Sequence, residues 1–141
     1  MTTPKRPMVK DMSWVLEPLM VLPKVVHALV LSGDGLVMGA SPSLGRDARE
    51  GSSAMMSALQ GAARAVTICL SGDDSTQLRQ IVVEATSGLV FAIPAGANTV
   101  LAVFAEREAD MGVVSHHMQI QVATLGDKVM NSHARDSGTP A

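Results

Sequence analysis

The side chains able to act as nucleophile, acid, base or metal ligand are few and scattered: His27, Asp34, Cys69, the pair Asp73 and Asp74, and the neighbours His116 and His117. A thiolate beside an imidazole would suit covalent catalysis, and grouped histidines and carboxylates would suit a divalent cation. Neither pattern is present in the spacing. Adjacent histidines on a helix diverge by about a hundred degrees, whereas chelation of one metal needs them a full turn apart. Asp73 and Asp74 lack the alternating ligands and closing glutamate of a calcium loop and read as a solvated turn. His27 reads as a surface residue at a strand end. Cys69 has no second cysteine to pair with; it reads as a small buried hydrophobe in a protein of a reducing compartment. The chain also has no GxxxxGK[ST], GxSxG, CxxC or HExxH. Enzymatic activity is therefore not expected, nor is a cofactor or a bound metal.

With 141 residues and 47% hydrophobic content, the chain has the size and composition of one globular domain. A net charge of -2 gives no basic footprint for nucleic acid, and two Phe, one Trp and no Tyr remove the usual stacking platforms. The segment Trp14 to Leu22 is too short to span a bilayer and is interrupted by Glu17 and Pro18, so membrane insertion is not expected. The reading is a cytoplasmic protein with a folded domain over residues 11–132. Residues 1–10 and 133–141, polar and rich in small residues, are expected to be disordered ends.

The element on which everything else depends is the proline-free stretch from Arg46 to Ser71, whose periodicity predicts one long helix. Ala48, Ser52, Met55, Leu59, Ala62, Val66 and Cys69 recur at steps of three and four and are expected to face the core. A second stripe, containing Ser53, Ser57, Gln60 and Arg64 with Ala54, Ala58 and Gly61 beside it, is almost free of charge. That stripe has two readings: small residues in a buried helix where the sheet is near, or an outward side whose small side chains would admit a second helix. On the second, a glutamate at Ser57 should break the contact and leave the fold intact.

The other elements follow from local signals. A short first helix is expected after Asp11 or Ser13, with Trp14, Val15, Leu19 and Leu22 on its apolar side and Pro18 forcing a kink or a late start. Lys24 to Ser41 reads as a hairpin around Ser32-Gly33-Asp34-Gly35, with Val26, Ala28 and Val30 on one face and Val25, His27, Leu29 and Leu31 on the other. Gln77 to Ala85, Gly88 to Ala95 and Thr99 to Ala105 read as an antiparallel meander, the first and most polar run being the edge strand. A last helix is expected from Asp110 to Asn131, with Met111, Val114, Met118, Val122, Leu125 and Val129 buried. The order helix, two strands, long helix, three strands, helix describes one α+β layered domain.

Taken together, the hairpin HALVLSGDGLVMGAS, the polar-to-small helix after it, the run RQIVVEATSGLVFAIPAGANTVLAVFA and the Asp110-Met111-Gly112 helix start resemble the bacterial roadblock family, related to the roadblock light chains of dynein. More narrowly, the chain is similar to roadblock proteins of actinobacterial conservon operons. The match lies in the order and spacing of these segments, over about Trp14 to Asn131, and departs from the family at Pro18 and in having only Phe91 as an aromatic in the fourth strand. The resemblance implies a roadblock/profilin-like fold: a five-stranded antiparallel sheet with the long helix on one face and the terminal helices on the other. It implies a homodimer joined through the third strand and the long helix, serving as a non-enzymatic platform for a small Ras-like GTPase, with a sensor-kinase-like protein as a further partner and recruitment to the membrane through those partners.

On this reading the dimer or partner interface is built from Ser53, Ala54, Ser57, Ala58, Gln60, Gly61 and Arg64 on the helix, with Arg79 and Ile81 on the edge strand. Arg64 is more readily a helix-surface charge than an arginine finger. Two competing readings are a sensory domain holding a small molecule between sheet and helix, and a purely structural dimerisation module. A large internal pocket would favour the sensor; a filled core with an exposed apolar groove would favour the platform.

Overall fold

The computed structural model describes residues 11–96 and 98–137, with residues 127–137 by backbone alone. Five antiparallel strands form one sheet in the order β2-β1-β5-β4-β3, from β1 (Val25–Ser32), β2 (Val37–Ala40), β3 (Ile81–Ala85), β4 (Gly88–Pro94) and β5 (Thr99–Ala105). The long helix α2 (Arg46–Ser71) lies on one face; a 3₁₀ turn (Ser13–Leu16), α1 (Glu17–Met20) and α3 (Met111–Ser137) lie on the other.

Each central strand serves both layers by alternation. In β4, Leu89, Phe91 and Ile93 enter the core under α1 and α3, while Val90 and Ala92 face α2; in β5, Leu101, Val103 and Ala105 take the first side and Val100 and Ala102 the second. β1 follows the expected alternation from Ala28 onward. Val25 does not: a bulge between Val25 and His27 turns it to the side of Ala28 and Val30, leaving His27 with Leu29 on the α2 side.

The hairpin closes as its glycines require. Gly35 sits at φ +92°, its N–H donates to the Ser32 carbonyl at 3.0 Å, and the Ser32 hydroxyl accepts from Leu36 N–H at 2.9 Å. Beyond β2 the chain imitates a further strand with side chains. Ser41 exchanges backbone and hydroxyl hydrogen bonds with Ala28 at 2.9 and 3.0 Å, and Ser43 Oγ donates to the Val26 carbonyl at 2.8 Å. Arg49, from the first turns of α2, clamps this loop by donating to the Leu44 carbonyl at 2.6 Å and the Ser41 carbonyl at 3.3 Å.

The late start expected at Pro18 is what occurs: the α-helical turns begin at Glu17 after the 3₁₀ turn, and the ring occupies the first turn, where no intrahelical N–H is lost. Four other expectations are corrected in detail. Trp14 is half-exposed and Leu16 takes its place in the core. β3 begins at Ile81, so Arg79 and Gln80 precede it in a segment that Ser115 of α3 holds through the Gln80 side chain. In α3, Val114, Met118 and Leu125 are buried but Met111 is exposed, because Asp110 caps the helix by accepting from Val113 N–H at 3.1 Å and residue 111 falls in the open first turn. The helix also continues to Ser137, into the stretch expected to be a disordered tail. Residues 1–10 and 138–141 and the side chain of Val129 lie outside the described residues.

Candidate interaction surface

Of the two readings of the polar stripe the structure takes the one near the sheet, and apart from Leu59, which packs against the α2-side core as expected, the apolar stripe points outward. Ser53 and Met56 are buried, and Arg49, Ser57, Gln60, Ala63 and Thr67 are half-buried, so the polar, small-residue stripe faces the molecule. The physical reason is the hairpin turn. α2 crosses close over Gly35, where a Cβ would lie 3.5 Å from the Ser53 carbonyl and 3.7 Å from Ser57 Cβ, and Ser57 Oγ donates to the Gly33 carbonyl at 2.7 Å. Larger apolar side chains would not fit there. Serines do fit, and their hydroxyls supply hydrogen bonds for the turn and for the helix's own carbonyls, as Ser53 does to Glu50 at 3.0 Å. Ser57→Glu is therefore expected to disturb the domain itself.

The opposite side of α2 carries the apolar stripe, and among the described residues nothing covers it. Met55 is 73% exposed, Val66 53% and Leu70 84%, with Ala58, Ala62 and Cys69 exposed between them. From Gly51 to Leu70 this outward arc has no charged residue. Cys69 is thus an exposed thiol and not a buried filler. Length contributes as well: the 26 residues of α2 span roughly 39 Å at 1.5 Å per residue, whereas the eight residues of β1 span roughly 27 Å. One helix this long cannot lie wholly on its own sheet.

The two edges of the sheet differ in the same sense. Along β2, Met12 N–H donates to the Met38 carbonyl at 2.9 Å, Ala40 N–H donates to Ser13 Oγ at 3.3 Å, and the N-terminal segment packs so tightly that a Cβ on Gly39 would come within 2.7 Å of Ser13 N. β3 pairs with β4 alone, so its other edge is open among the described residues, and Val83 in its middle is 37% exposed.

Of the residues expected at an interface, Ala54, Ala58, Gly61 and Arg64 are exposed on α2, Arg79 is exposed ahead of β3, and Ile81 is half-buried against the α2-side core. Ser53, Ser57 and Gln60 turn inward. Arg64 lies on the flank, its Nη2 donating to the Asp74 carbonyl at 3.1 Å. Met55, Val66 and Leu70 were missed as surface residues. The stripe itself was readable; its direction depended on the tertiary fact that α2 passes over glycines and demands small residues there.

The scattered polar groups are not brought together. His27 faces the α2 side, where its Nδ1 lies 2.8 Å from Ser43 Oγ and its ring stacks on Phe104 with centroids 6.1 Å apart. Because the Ser43 proton goes to the Val26 carbonyl, Nδ1 is the donor of the His27–Ser43 pair. Asp34 is in the hairpin turn, Cys69 near the end of α2, and His116 and His117 on α3 across the sheet, with rings 5.7 Å apart. The Asp73 carboxyl is held below its ordinary value by hydrogen bonds from the Ser75 hydroxyl and N–H, as in a solvated turn. Among the described residues no group of three or more His, Cys, Asp or Glu could hold a metal, and no helix is long and apolar enough to cross a membrane. Between the first half of α2 and the sheet runs an apolar cleft of about 240 Å³, lined by Leu29, Leu44, Met56, Val90 and Phe104 with His27 at its rim.

Sheet order, the split of helices between its faces and the open side of the long helix define an α+β layered module of profilin-like shape, related in fold to profilin II of Acanthamoeba castellanii (14% identity, TM-score 0.54, covering 74% of this chain and 87% of that one). The Roadblock/LC7 domain profile matches residues 13–105, and the chain belongs to that family. It is similar to a Roadblock/LC7 domain from Streptomyces avermitilis, with 34% identity over 86% of this chain and 99% of that one and a TM-score of 0.77. It also shares its fold with MglB of Myxococcus xanthus at 14% identity, with a TM-score of 0.73 over 85% of this chain and 94% of that one. A search of functionally curated proteins gave no match.

Proposed function

We propose that this protein is a non-enzymatic, homodimeric platform that binds a small Ras-like GTPase and regulates it within a cytoplasmic bacterial signalling complex. One observation carries the reading: the described residues leave uncovered both the charge-free outward arc of α2, with Met55, Val66 and Leu70 along it, and the open edge of β3. Apolar side chains exposed in a row mark an interface, and an unpaired strand edge is a template for another strand. Pairing β3 with β3 would run one sheet through two copies and bring the two α2 arcs together around a two-fold axis. Membership of the Roadblock/LC7 family supports the platform, since the resemblance implies GTPase-binding dimers of this kind. Their exposure supports an interface of Met55, Ala58, Ala62, Val66 and Leu70 on the helix, flanked by Ala54, Gly61, Arg79 and the half-buried Ile81.

The test is a pull-down with the full chain as bait against a small Ras-like GTPase, loaded with GDP or with a non-hydrolysable GTP analogue, alongside the bait's mass in solution. Nucleotide-dependent retention by a dimer is the expected result. A monomer that retains neither form would remove the reading and move attention to the apolar cleft beside His27 as a small-molecule site.

A further inference from the structure

The first half of α2 is held at two points and spans a gap between them. At its start Arg49 donates to the Leu44 and Ser41 carbonyls at 2.6 and 3.3 Å, and about two turns later Ser57 donates to the Gly33 carbonyl at 2.7 Å. A helix pinned in both places cannot sink onto the sheet between them. Along that span the helix presents the small Ala48 and Ser52, and the sheet beneath offers the small Ala102. What remains is the apolar cleft of about 240 Å³, walled by Leu29, Leu44, Met56, Val90 and Phe104.

Its chemistry gives a polar ligand no answering group. No aspartate, glutamate, lysine or arginine lines it. The two polar side chains at its rim are engaged within the chain: His27 donates through Nδ1 to Ser43 Oγ at 2.8 Å, and the Ser52 hydroxyl donates to the Ala48 carbonyl of its own helix. A charge brought into the cleft would lose water and find no counterpart. The cleft is also separate from the proposed seam, since Met55, Ala58, Ala62, Val66, Leu70 and Ile81 take no part in lining it. Every lining residue, with its neighbours in the chain, lies within the described residues.

From this we infer that the cleft binds a small neutral apolar molecule, the size of one aromatic ring with a short alkyl substituent. Apolar cavities of about 150 Å³ already take benzene, so the larger volume here has room for the substituent as well. The ring would pack on Phe104, with Leu29 and Ala102 beneath it and the flexible Met56 side chain closing over it. Because both anchors of the helix lie within the chain, the walls stand before the ligand arrives. The inference does not depend on the GTPase reading, and either can fail without the other.

The experiment is a titration of the methyl-labelled full chain with toluene and with benzoate, which carries a charge on the same ring, following by NMR the methyl groups of Met56, Leu44 and Val90 in the cleft and of Val66 and Leu70 on the outward arc, with the mass in solution checked at each end. Saturable shifts of the cleft methyls with toluene are expected, with Val66 and Leu70 unmoved and benzoate weaker by roughly tenfold or more. Ala48 is exposed, so Ala48→Leu should keep the fold while its larger side chain fills the mouth and weakens toluene binding by roughly tenfold or more. Ala102→Val should do the same from the floor. The inference is overturned by shifts that rise linearly without saturating, by benzoate binding as well as toluene, by shifts confined to Val66 and Leu70, or by binding that survives Ala48→Leu and Ala102→Val alike.

Discussion

The two faces of one sheet are built to different standards. Under α1 and α3, Leu16, Leu19, Phe91, Ile93, Leu101, Met118 and Leu125 are almost wholly buried, and three helical segments close the layer. Under α2 the central strands β4 and β5 offer only Ala92, Ala102 and Val100, the larger buried residues being Leu29 and Leu31 of β1 and Met56 of the helix; a cleft remains beside the helix, and the apolar arc of the helix points away. Large side chains make the first layer the more completely filled. Small ones let the other keep its helix close to the hairpin while the apolar surface of that helix stays available to a partner. The contrast extends to the edges, with β2 sealed by the N-terminal segment and β3 open.

If stability resides in the first layer, the largest loss should come from Phe91→Ala, which empties the best-filled site of the core. About 3–5 kcal/mol is expected in chemical denaturation, and a loss below about 1 kcal/mol would mean that the layers share the load. Next is Gly39→Ala. Its Cβ would meet backbone atoms of Ser13 and Met12 at 2.7 and 2.8 Å, so the N-terminal segment must lift off β2. A cost of about 1–3 kcal/mol is expected, together with faster hydrogen exchange at Met12. Ser57→Ala, on the α2 side, removes only the bond to the Gly33 carbonyl and should cost about 1 kcal/mol.

This layering was largely readable from residue patterns, and its failures share one cause. Strand alternation in β4 and β5, the turn at Ser32 to Gly35 and the cap at Asp110 are local, so the sheet and the ends of its elements emerged from the sequence. The direction of α2 is not local. Its two stripes both repeat at helical period, and hydrophobicity alone sends Met55 and Val66 inward. What decides the matter is the approach to Gly35 and the Gly33 carbonyl, a contact made across the fold by residues in a different element. Val25 failed for a related reason, since a bulge shifts the face of a strand without leaving a mark in composition. Gln60 reads in the sequence as part of a small-residue stripe, and that its Nε2 has no hydrogen-bond partner among the described residues is visible only in three dimensions.

The open side is sharpened by Leu70→Glu. Leu70 is 84% exposed, so in a dilute monomer the change should move stability by no more than about 0.5 kcal/mol. In the proposed dimer it would desolvate a charge in an apolar seam, and a drop to monomer mass by light scattering at concentrations where the unmodified chain is dimeric is expected. Unchanged mass together with unchanged GTPase retention would detach the α2 arc from the interface.

The smallest effect belongs to the sealed edge. Asp11 accepts from the Ser13 hydroxyl at 2.6 Å and from its N–H at 3.0 Å, and these bonds hold the carboxyl below its ordinary value of 3.8. A carboxylate whose pKa is lower in the folded chain than in the unfolded one binds its proton more readily after unfolding. Its contribution is therefore complete above the ordinary value and is lost as pH falls through the lower, folded one. Asp11 is exposed, and screening by water limits that contribution to a few tenths of a kcal/mol. Asp11→Asn should thus unfold slightly more easily than the unmodified chain near neutral pH, and the gap should close in acid, once the native carboxyl is itself protonated. A gap that persists unchanged in acid would assign the effect to packing of the segment against Met38 and Ala40 rather than to the charge, and would make the seal on β2 a matter of shape alone.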